Sequence, residues 1–336
     1  MHGGVRALAT ATTGLAYERH AARLGGGVRE LLRHYSELSK ARLSSLVLLT
    51  TAVGFAMAEH DGFRWGRLAL TLLGTALAAF GVNALNQRME VERDRRMLRT
   101  CRRPLPAGAV SLPAATWFGV LTAAAGPVVL ALWVNWISAG LALLCELVYV
   151  AAYTPLKVRT PLNTLVGAVC GALPPMIGWA AATGGLERPA WILGAILFVW
   201  QIPHFLALAW LYREDYARGG FEMLSTRDRD GRATALVALL YSALLVPVSM
   251  LLSVSGPTGA VYGGGAALLG AALLAVNLAF CRRRTAATAR RLFLASVVYL
   301  PLLLGLMVAD RGARGLAAGG EPRYVAGEAA PAAGVG

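Results

Sequence analysis

The sequence predicts an all-α fold, a polytopic membrane bundle of about nine transmembrane helices. Three observations carry that expectation. Of the 336 residues, 57% are hydrophobic and 15% charged, whereas soluble domains run near about 45–50% and about 25%. Mean hydropathy is +0.56, and no stretch is long and polar enough to make a separate soluble domain. The apolar residues fall into runs of membrane-crossing length. These features exclude a soluble enzyme and a disordered chain. Cys101, Cys145, Cys170 and Cys281 stand singly without CxxC spacing, so neither a zinc site nor a disulfide framework is indicated.

A helix needs about 20 mostly apolar residues to cross the hydrocarbon core. Nine segments qualify: 43–58, 67–86, 113–134, 136–154, 162–183, 190–211, 233–254, 258–280 and 290–309. The first is the shortest and needs a tilt or an extension. Backbone groups in lipid must be satisfied within their own segment, so such runs are helices rather than open strands. Of the 32 Lys and Arg residues, 26 fall at the N-terminal side and in or beside every second loop, and 6 on the opposite side. This bias places the N-terminus in the cytoplasm and the C-terminus outside, and the expected location is a bacterial cytoplasmic membrane. The net charge of +14 therefore reads first as a topology signal, and no nucleic-acid partner is expected. Residues 1–33 read as a cytoplasmic extension; Glu18 and Glu30 weigh against a transit peptide. Residues 34–310 form the membrane domain, and 311–336, rich in Gly, Ala and Pro, read as a disordered tail.

Acidic residues are scarce, 18 in all, yet Glu90, Glu92 and Asp94 fall within five residues at the end of the second span. Asn86, Glu90 and Asp94 are spaced four apart, so a continuing helix projects them from one face. An amide oxygen and two carboxylates in a stripe suit a hard divalent cation, and Mg²⁺ commonly combines one or two carboxylates with substrate phosphates. Arg95, Arg96, Arg99, Arg102 and Arg103 follow directly, and arginine forks match phosphate oxygens. The alternative for the arginines taken singly is a solvated loop obeying the positive-inside rule.

Two more polar stretches lie on the same predicted side. One is Tyr153-Thr154-Pro155-Leu156-Lys157-Val158-Arg159. The other begins at Trp200-Gln201-Ile202-Pro203-His204-Phe205 and continues into Tyr212-Arg213-Glu214-Asp215-Tyr216. Two acid-bearing loops on one membrane face can converge on a single diphosphate and its metals. Within the fourth span, Glu146 is the only acid well inside an apolar run. It shares a helical face with Tyr149, Tyr153 and Lys157, and ionisable groups at such depth usually face a cavity or a partner. It reads either as a cavity group, a proton acceptor or water positioner, or as a neutral acid hydrogen-bonded between helices.

Taken in order, Asn86-x3-Glu90-x3-Asp94, Arg99-Thr100-x2-Arg103-Pro104-Leu105, Tyr153-Thr154-x-Leu156-Lys157-x-Arg159-Thr160-Pro161-Leu162-Asn163-Thr164, Gly171-Ala172-x-Pro174-Pro175-x2-Gly178-Trp179, Trp200-Gln201-x-Pro203-His204-Phe205 and Asp215-Tyr216 resemble the UbiA-type intramembrane prenyltransferases. Within them they are similar to the heme-farnesylating branch, over about residues 34–310. Glu90 and Glu92 stand where that branch commonly has aspartate, Arg102 where it has Asn, and Ala41 where it has Pro.

The resemblance implies transfer of a farnesyl group from farnesyl diphosphate to a vinyl group of heme b, giving heme O. It implies a divalent cation, Mg²⁺, held by Asn86, Glu90, Asp94 and Asp215, with Lys157 beside them as a catalytic group. Lys40, Arg42, Arg99, Arg102, Arg103 and Arg159 are implied as diphosphate-binding groups, and Tyr153, Trp200, Gln201, His204 and Glu146 as further substrate contacts. Tyr149, Tyr153 and Trp200 would face an allylic cation, and His204 would contact heme. The implied partners are the lipid bilayer and heme A synthase or oxidase assembly proteins. Rival expectations are a UbiA-type enzyme with another aromatic or tetrapyrrole acceptor, a heme-binding assembly protein and a secondary transporter. The one-sided acids and odd span count disfavour the transporter.

Overall fold

The computed structural model describes residues 27–59 and 62–318, with side chains through Arg311. A first helix, α1, covers 27–38. Then come α2 (Ala41–Ala58), α3 (Trp65–Asp94), α4 (Leu112–Trp133), α5 (Trp136–Leu156), α6 (Asn163–Thr183) and α7 (Arg188–Leu211). Two short helices, α8 (Arg213–Gly219) and α9 (Leu224–Arg227), lead into α10 (Arg232–Val254), α11 (Ala260–Arg282) and α12 (Ala286–Ala318). Among the described residues, nine helices are long and apolar enough to cross a membrane: α2 to α7 and α10 to α12. No strand occurs among them.

The span ends agree with the hydropathy reading to within a few residues except at two places. α3 runs 30 residues, about 45 Å at 1.5 Å per residue, against an apolar core of about 30 Å. Its surplus turns carry Asn86, Glu90 and Asp94 toward the Arg-rich end of the bundle. α12 continues to Ala318, so the expected disordered tail is helical over its first eight residues, 311–318. Arg, Leu and Ala outnumber the two glycines there and keep helical propensity adequate. Residues 319–336 and 1–26, with the question of a transit peptide, lie outside the described residues.

Helices α6 and α7 form the hub. Of their apolar stretches 78% and 72% are buried, against 22% for α4 and for α5, whose apolar flanks are left for lipid. Without a hydrophobic force between helices in lipid, close backbone approach supplies the packing. The α2–α6 crossing shows it: a Cβ on Gly54 would stand 2.0 Å from the Pro175 carbonyl oxygen, and one on Gly178 would stand 1.9 Å from that of Thr51. Pro174 has no N–H to give the carbonyl of Cys170 four residues back, and the Cys145 thiol donates to that oxygen at 3.4 Å. Beneath this crossing Leu130, Ala139, Ala142 and Ile177 pack into a small buried cluster.

Candidate active site

A cavity of ≈ 310 Å³ runs into the bundle between α2, α3, α5, α6 and α7. Its mouth, at the Arg-rich end, is lined by Lys40, Glu90, Asp94, Arg99, Arg103 and Lys157. Its shaft is lined by Leu43, Val47, Ala78, Val82 and Pro174, and its far end by Thr75, Ala142, Glu146 and Ile177.

The mouth is built on one face of α3. Asn86, Glu90 and Asp94 are buried there, and each is met by a cation from a different element. Lys40, from the turn before α2, donates to Asn86 Oδ1 at 2.7 Å. Lys157, just past α5, reaches Glu90 Oε1 at 2.9 Å and Oε2 at 3.3 Å. Arg103, from the loop after α3, donates to Asp94 Oδ2 at 2.9 Å. The remaining bonds lock the arrangement: Asn86 Nδ2 donates to Thr154 Oγ1 at 3.1 Å, and Thr100 Oγ1 donates to the Asp94 carbonyl at 2.9 Å. A buried ion pair holds its place when its geometry is good and its remaining groups are bonded.

Lys40 is the only non-glycine residue with positive φ among the described residues, at φ 47. Non-glycine residues in this left-handed region carry a local cost that the surroundings must outweigh, and such positions cluster at functional sites. Burial, reinforced by repulsion from Lys157 and Arg103, lowers the Lys40 pKa to about 7. Burial also opposes the charge on Lys157, but the Glu90 carboxylate outweighs it and holds that ammonium well above its ordinary range. Four cations and two carboxylates around the mouth leave a site suited to a polyanion.

Below the mouth, α5 changes winding. Val148–Tyr153 form a π-helix, a distortion that recurs at functional sites. Pro155 follows it and can give no hydrogen bond to the preceding turn. Tyr149 and Tyr153 line the cavity from this segment, their rings 5.1 Å apart. The Lys157 ammonium stands 4.5 Å over the Tyr153 ring, and Tyr149 OH donates to Asn83 Oδ1 at 3.3 Å. Opposite, a Cβ on Gly171 would lie 2.0 Å from Gln201 Oε1, so the missing side chain lets Gln201 pack at the wall.

Residues 47–302 match the family model described as UbiA prenyltransferase family. The chain belongs to the UbiA prenyltransferase family. It is 44% identical over 289 residues to the protoheme IX farnesyltransferase of Solibacter usitatus (strain Ellin6076), covering 83% of this chain and 99% of that protein. Among solved structures, it is similar to a digeranylgeranylglyceryl phosphate synthase, with a TM-score of 0.72 and 17% identity over 84% of this chain and 99% of that one. A UbiA homolog from Archaeoglobus fulgidus bound to GPP and Mg²⁺ superposes with a TM-score of 0.58 and 16% identity over 82% and 99% of the two chains. These two likenesses bear on the fold, which is the UbiA helical bundle.

In this UbiA-family prenyltransferase the expected site residues separate into three groups. Lys40, Glu90, Asp94, Arg99, Arg103, Glu146, Tyr153, Lys157 and Gln201 line the cavity, and Asn86 lies directly behind Lys40. Arg42, Arg102 and Arg159 are outside its lining. Three residues face elsewhere. Asp215 lines a separate pocket with Arg213, Arg218 and Arg284. Its carboxylate accepts the backbone N–H groups of Leu98 at 3.1 Å and Arg99 at 3.3 Å and pairs with Arg218. The sequence expectation put Asp215 beside Asn86, Glu90 and Asp94; here its oxygens are spent on holding the loop that bears Arg99 and Arg103.

Trp200 and His204, expected as substrate contacts, also lie away from this cavity. They lie one turn apart on the α7 face that meets α12, outside the cavity lining. Trp200 Nε1 donates to the Ser296 carbonyl at 2.9 Å, and His204 Nδ1 meets Ser296 Oγ at 2.9 Å. Ser296 Oγ itself donates to the Phe293 carbonyl at 2.7 Å, which leaves His204 Nδ1 as the donor. The two rings stack at 5.1 Å, and Phe293 stands 4.8 Å from the imidazole. Gln201, Phe205 and Leu208 occupy the cavity face instead.

Asn83, Thr154, Phe205 and Thr75 are participants that sequence reasoning passed over. Thr154 and Phe205 sit inside motifs quoted from the sequence, where neither was singled out. Asn83 and Thr75 carry no signal apart from the fold. As for a metal, no group of three or more His, Cys, Asp or Glu side chains among the described residues is clustered to hold one. Asn86, Glu90 and Asp94 nevertheless fit an ion that draws one or two carboxylates from protein and the rest of its shell from phosphate and water.

Proposed function

We propose that this chain transfers a farnesyl group from farnesyl diphosphate to a vinyl group of heme b, forming heme O. The observation that carries the proposal is 44% identity over nearly the whole length of a protoheme IX farnesyltransferase, joined to a cavity whose cationic mouth leads into an apolar shaft. The inner membrane of a bacterium is the proposed location, with the Arg-rich end in the cytoplasm, on the 26 to 6 division of Lys and Arg.

Lys40, Arg99, Arg103 and Lys157 receive the diphosphate oxygens, the arginines as forks and the lysines as point charges. A divalent cation such as Mg²⁺ at Asn86, Glu90 and Asp94 would neutralise charge building on the leaving diphosphate. The same cationic side chains stabilise that charge as the C1–O bond breaks and the electron pair leaves with the diphosphate. Tyr149 and Tyr153 present ring faces to the allylic cation left behind. The apolar shaft holds water away until the vinyl π electrons have closed the new C–C bond. Water then adds to the resulting cation and loses a proton, giving the hydroxyl of heme O. Asp215 acts on this site through the loop it anchors.

The test is direct. Membranes containing the chain, supplied with heme b, farnesyl diphosphate and Mg²⁺, are extracted and their hemes weighed by mass spectrometry. Farnesylated heme is expected from the parent chain and none from Asp94→Ala. Heme b recovered unchanged from the parent chain refutes the reaction, and near-normal heme O from the variant refutes the ligand assignment.

A further inference from the structure

Two polar atoms at the far end of the cavity have no protein partner. Thr75 Oγ1 and Glu146 Oε1 are buried without a hydrogen bond, and both residues line the cavity. Thr75 is 3% exposed. A buried polar group left unpaired is costly, and an acid inside a membrane span is costlier and usually marks a substrate path. The inter-helix hydrogen bond allowed for Glu146 from sequence is not made by this oxygen.

Their depth is informative. α3 and α5 run in the same direction, both ending at the cavity mouth. Thr75 precedes Asn86 by eleven residues on α3, and Glu146 precedes Thr154, the hydrogen-bond partner of Asn86, by eight on α5, so they lie roughly 16 Å and roughly 12 Å below the Asn86–Thr154 contact at 1.5 Å per residue. Just beyond them the packed cluster of Leu130, Ala139, Ala142 and Ile177 closes the floor. Between mouth and floor the walls are mostly apolar, and the polar side chains among them, Asn83 and Tyr149, bond to each other while Gln201 bonds to the Leu197 carbonyl. With C–C bonds of about 1.5 Å, the twelve-carbon backbone of an extended farnesyl group spans roughly 14 Å. A diphosphate seated at the mouth therefore brings the end of a three-isoprene chain to the level of Thr75 and Glu146. A fourth isoprene unit, about 5 Å longer at the same bond length, must pass them. At this depth Glu146 is remote from the carbon that carries the diphosphate, so the water-positioning role considered from sequence does not suit it.

We infer that Thr75 and Glu146 determine prenyl chain length: they form a polar end to the tunnel that a fifteen-carbon chain stops short of and a twenty-carbon chain must desolvate. The inference rests on the prenyl-diphosphate reading of the mouth and deepens it. Glu146 and Thr75 act here on specificity and not on the reacting atoms.

The experiment measures binding of farnesyl and geranylgeranyl thiolodiphosphates, which resist ionisation, to the purified full chain in detergent with Mg²⁺, alongside turnover with heme b. The parent chain is expected to favour the shorter analogue. Glu146→Leu and Thr75→Val are expected to raise the relative affinity for the longer one by roughly tenfold, the scale of a small change in a hydrophobic pocket. Glu146→Gln, which keeps a polar end, is expected to stay near the parent ratio. An unchanged ratio in both apolar variants, or equal weakening of both analogues, overturns the inference, as does failure of the farnesyl analogue to bind the parent chain. A shifted ratio in a chain that never farnesylates heme refutes the proposed acceptor and leaves the length assignment standing.

Discussion

Replacing Asp215 by alanine should release the loop that carries Arg99 and Arg103. In the structure one carboxylate takes the N–H of Leu98 at 3.1 Å and that of Arg99 at 3.3 Å, with Arg218 alongside. Hydrogen bonds to a charged group contribute about 1.5–3 kcal/mol each, and water replaces part of that at the membrane surface, so about 3 kcal/mol of local ordering is at stake. At 1.36 kcal/mol per decade, amide exchange at Leu98 and Arg99 should accelerate by about a hundredfold. Asp215→Asn, keeping one neutral acceptor, should fall between. Hydrogen–deuterium exchange with mass readout on peptides covering 95–103 measures it. The pH dependence has a definite sign. Burial pushes the Asp215 carboxyl upward, but Arg218 and the two backbone N–H groups outweigh burial and depress it. Its anchoring is thus complete above the ordinary aspartate pKa of about 3.9 and is lost as pH falls through the depressed value. Unaltered exchange in Asp215→Ala would refute the reasoning. So would normal exchange combined with a raised Mg²⁺ requirement, since that is the signature of a lost metal ligand.

Other perturbations follow from the same geometry. Lys157→Met strands the buried Glu90 and should cost about 3–5 kcal/mol, read as an earlier thermal transition in detergent. Adding Glu90→Leu should restore much of that stability without restoring turnover, and a double variant no more stable than the single one contradicts the pairing. His204→Ala should loosen α7 against α12, by about 0.5–1.5 kcal/mol for each aromatic pair it removes. Diphosphate-analogue affinity should be retained; its loss with stability intact would return His204 to the substrate site. Gly178→Ala places a methyl 1.9 Å from the Thr51 carbonyl oxygen and should shift the chain to aggregate in size-exclusion chromatography. A monodisperse, active variant would show that α2 and α6 can separate.

The spans were legible because lipid imposes one simple demand, a long apolar segment, and the expected segments agree with the helices within a few residues except at the ends of α3 and α12. The acidic stripe was legible for a similar reason: spacing of four on a helix fixes a face, and α3 does continue to Asp94. The pairing partners were not. Lys40, Arg103 and Lys157 come from three separate elements, and only the folded bundle chooses which cation meets which oxygen. The faces of α7 were equally hidden. That helix is apolar all round, as buried membrane helices are, so nothing in the order of Trp200, Gln201, His204 and Phe205 tells which side opens to a cavity. The helical start of the tail at 311–318 was obscured by a composition that usually signals disorder.

The three cation contacts along α3 have a thermodynamic consequence. Lys40, Lys157 and Arg103 are engaged with Asn86, Glu90 and Asp94, so the groups that would meet an anion and the groups that would meet a metal already hold one another. A metal taking the oxygens frees three cations for an anion, and an anion taking the cations frees three oxygens for a metal. Each ligand removes a cost of binding the other, and linkage makes that help equal in both directions. The site therefore behaves as a coincidence detector. It should ignore free phosphate metabolites and free divalent ions alike, and respond to the prenyl diphosphate and metal together.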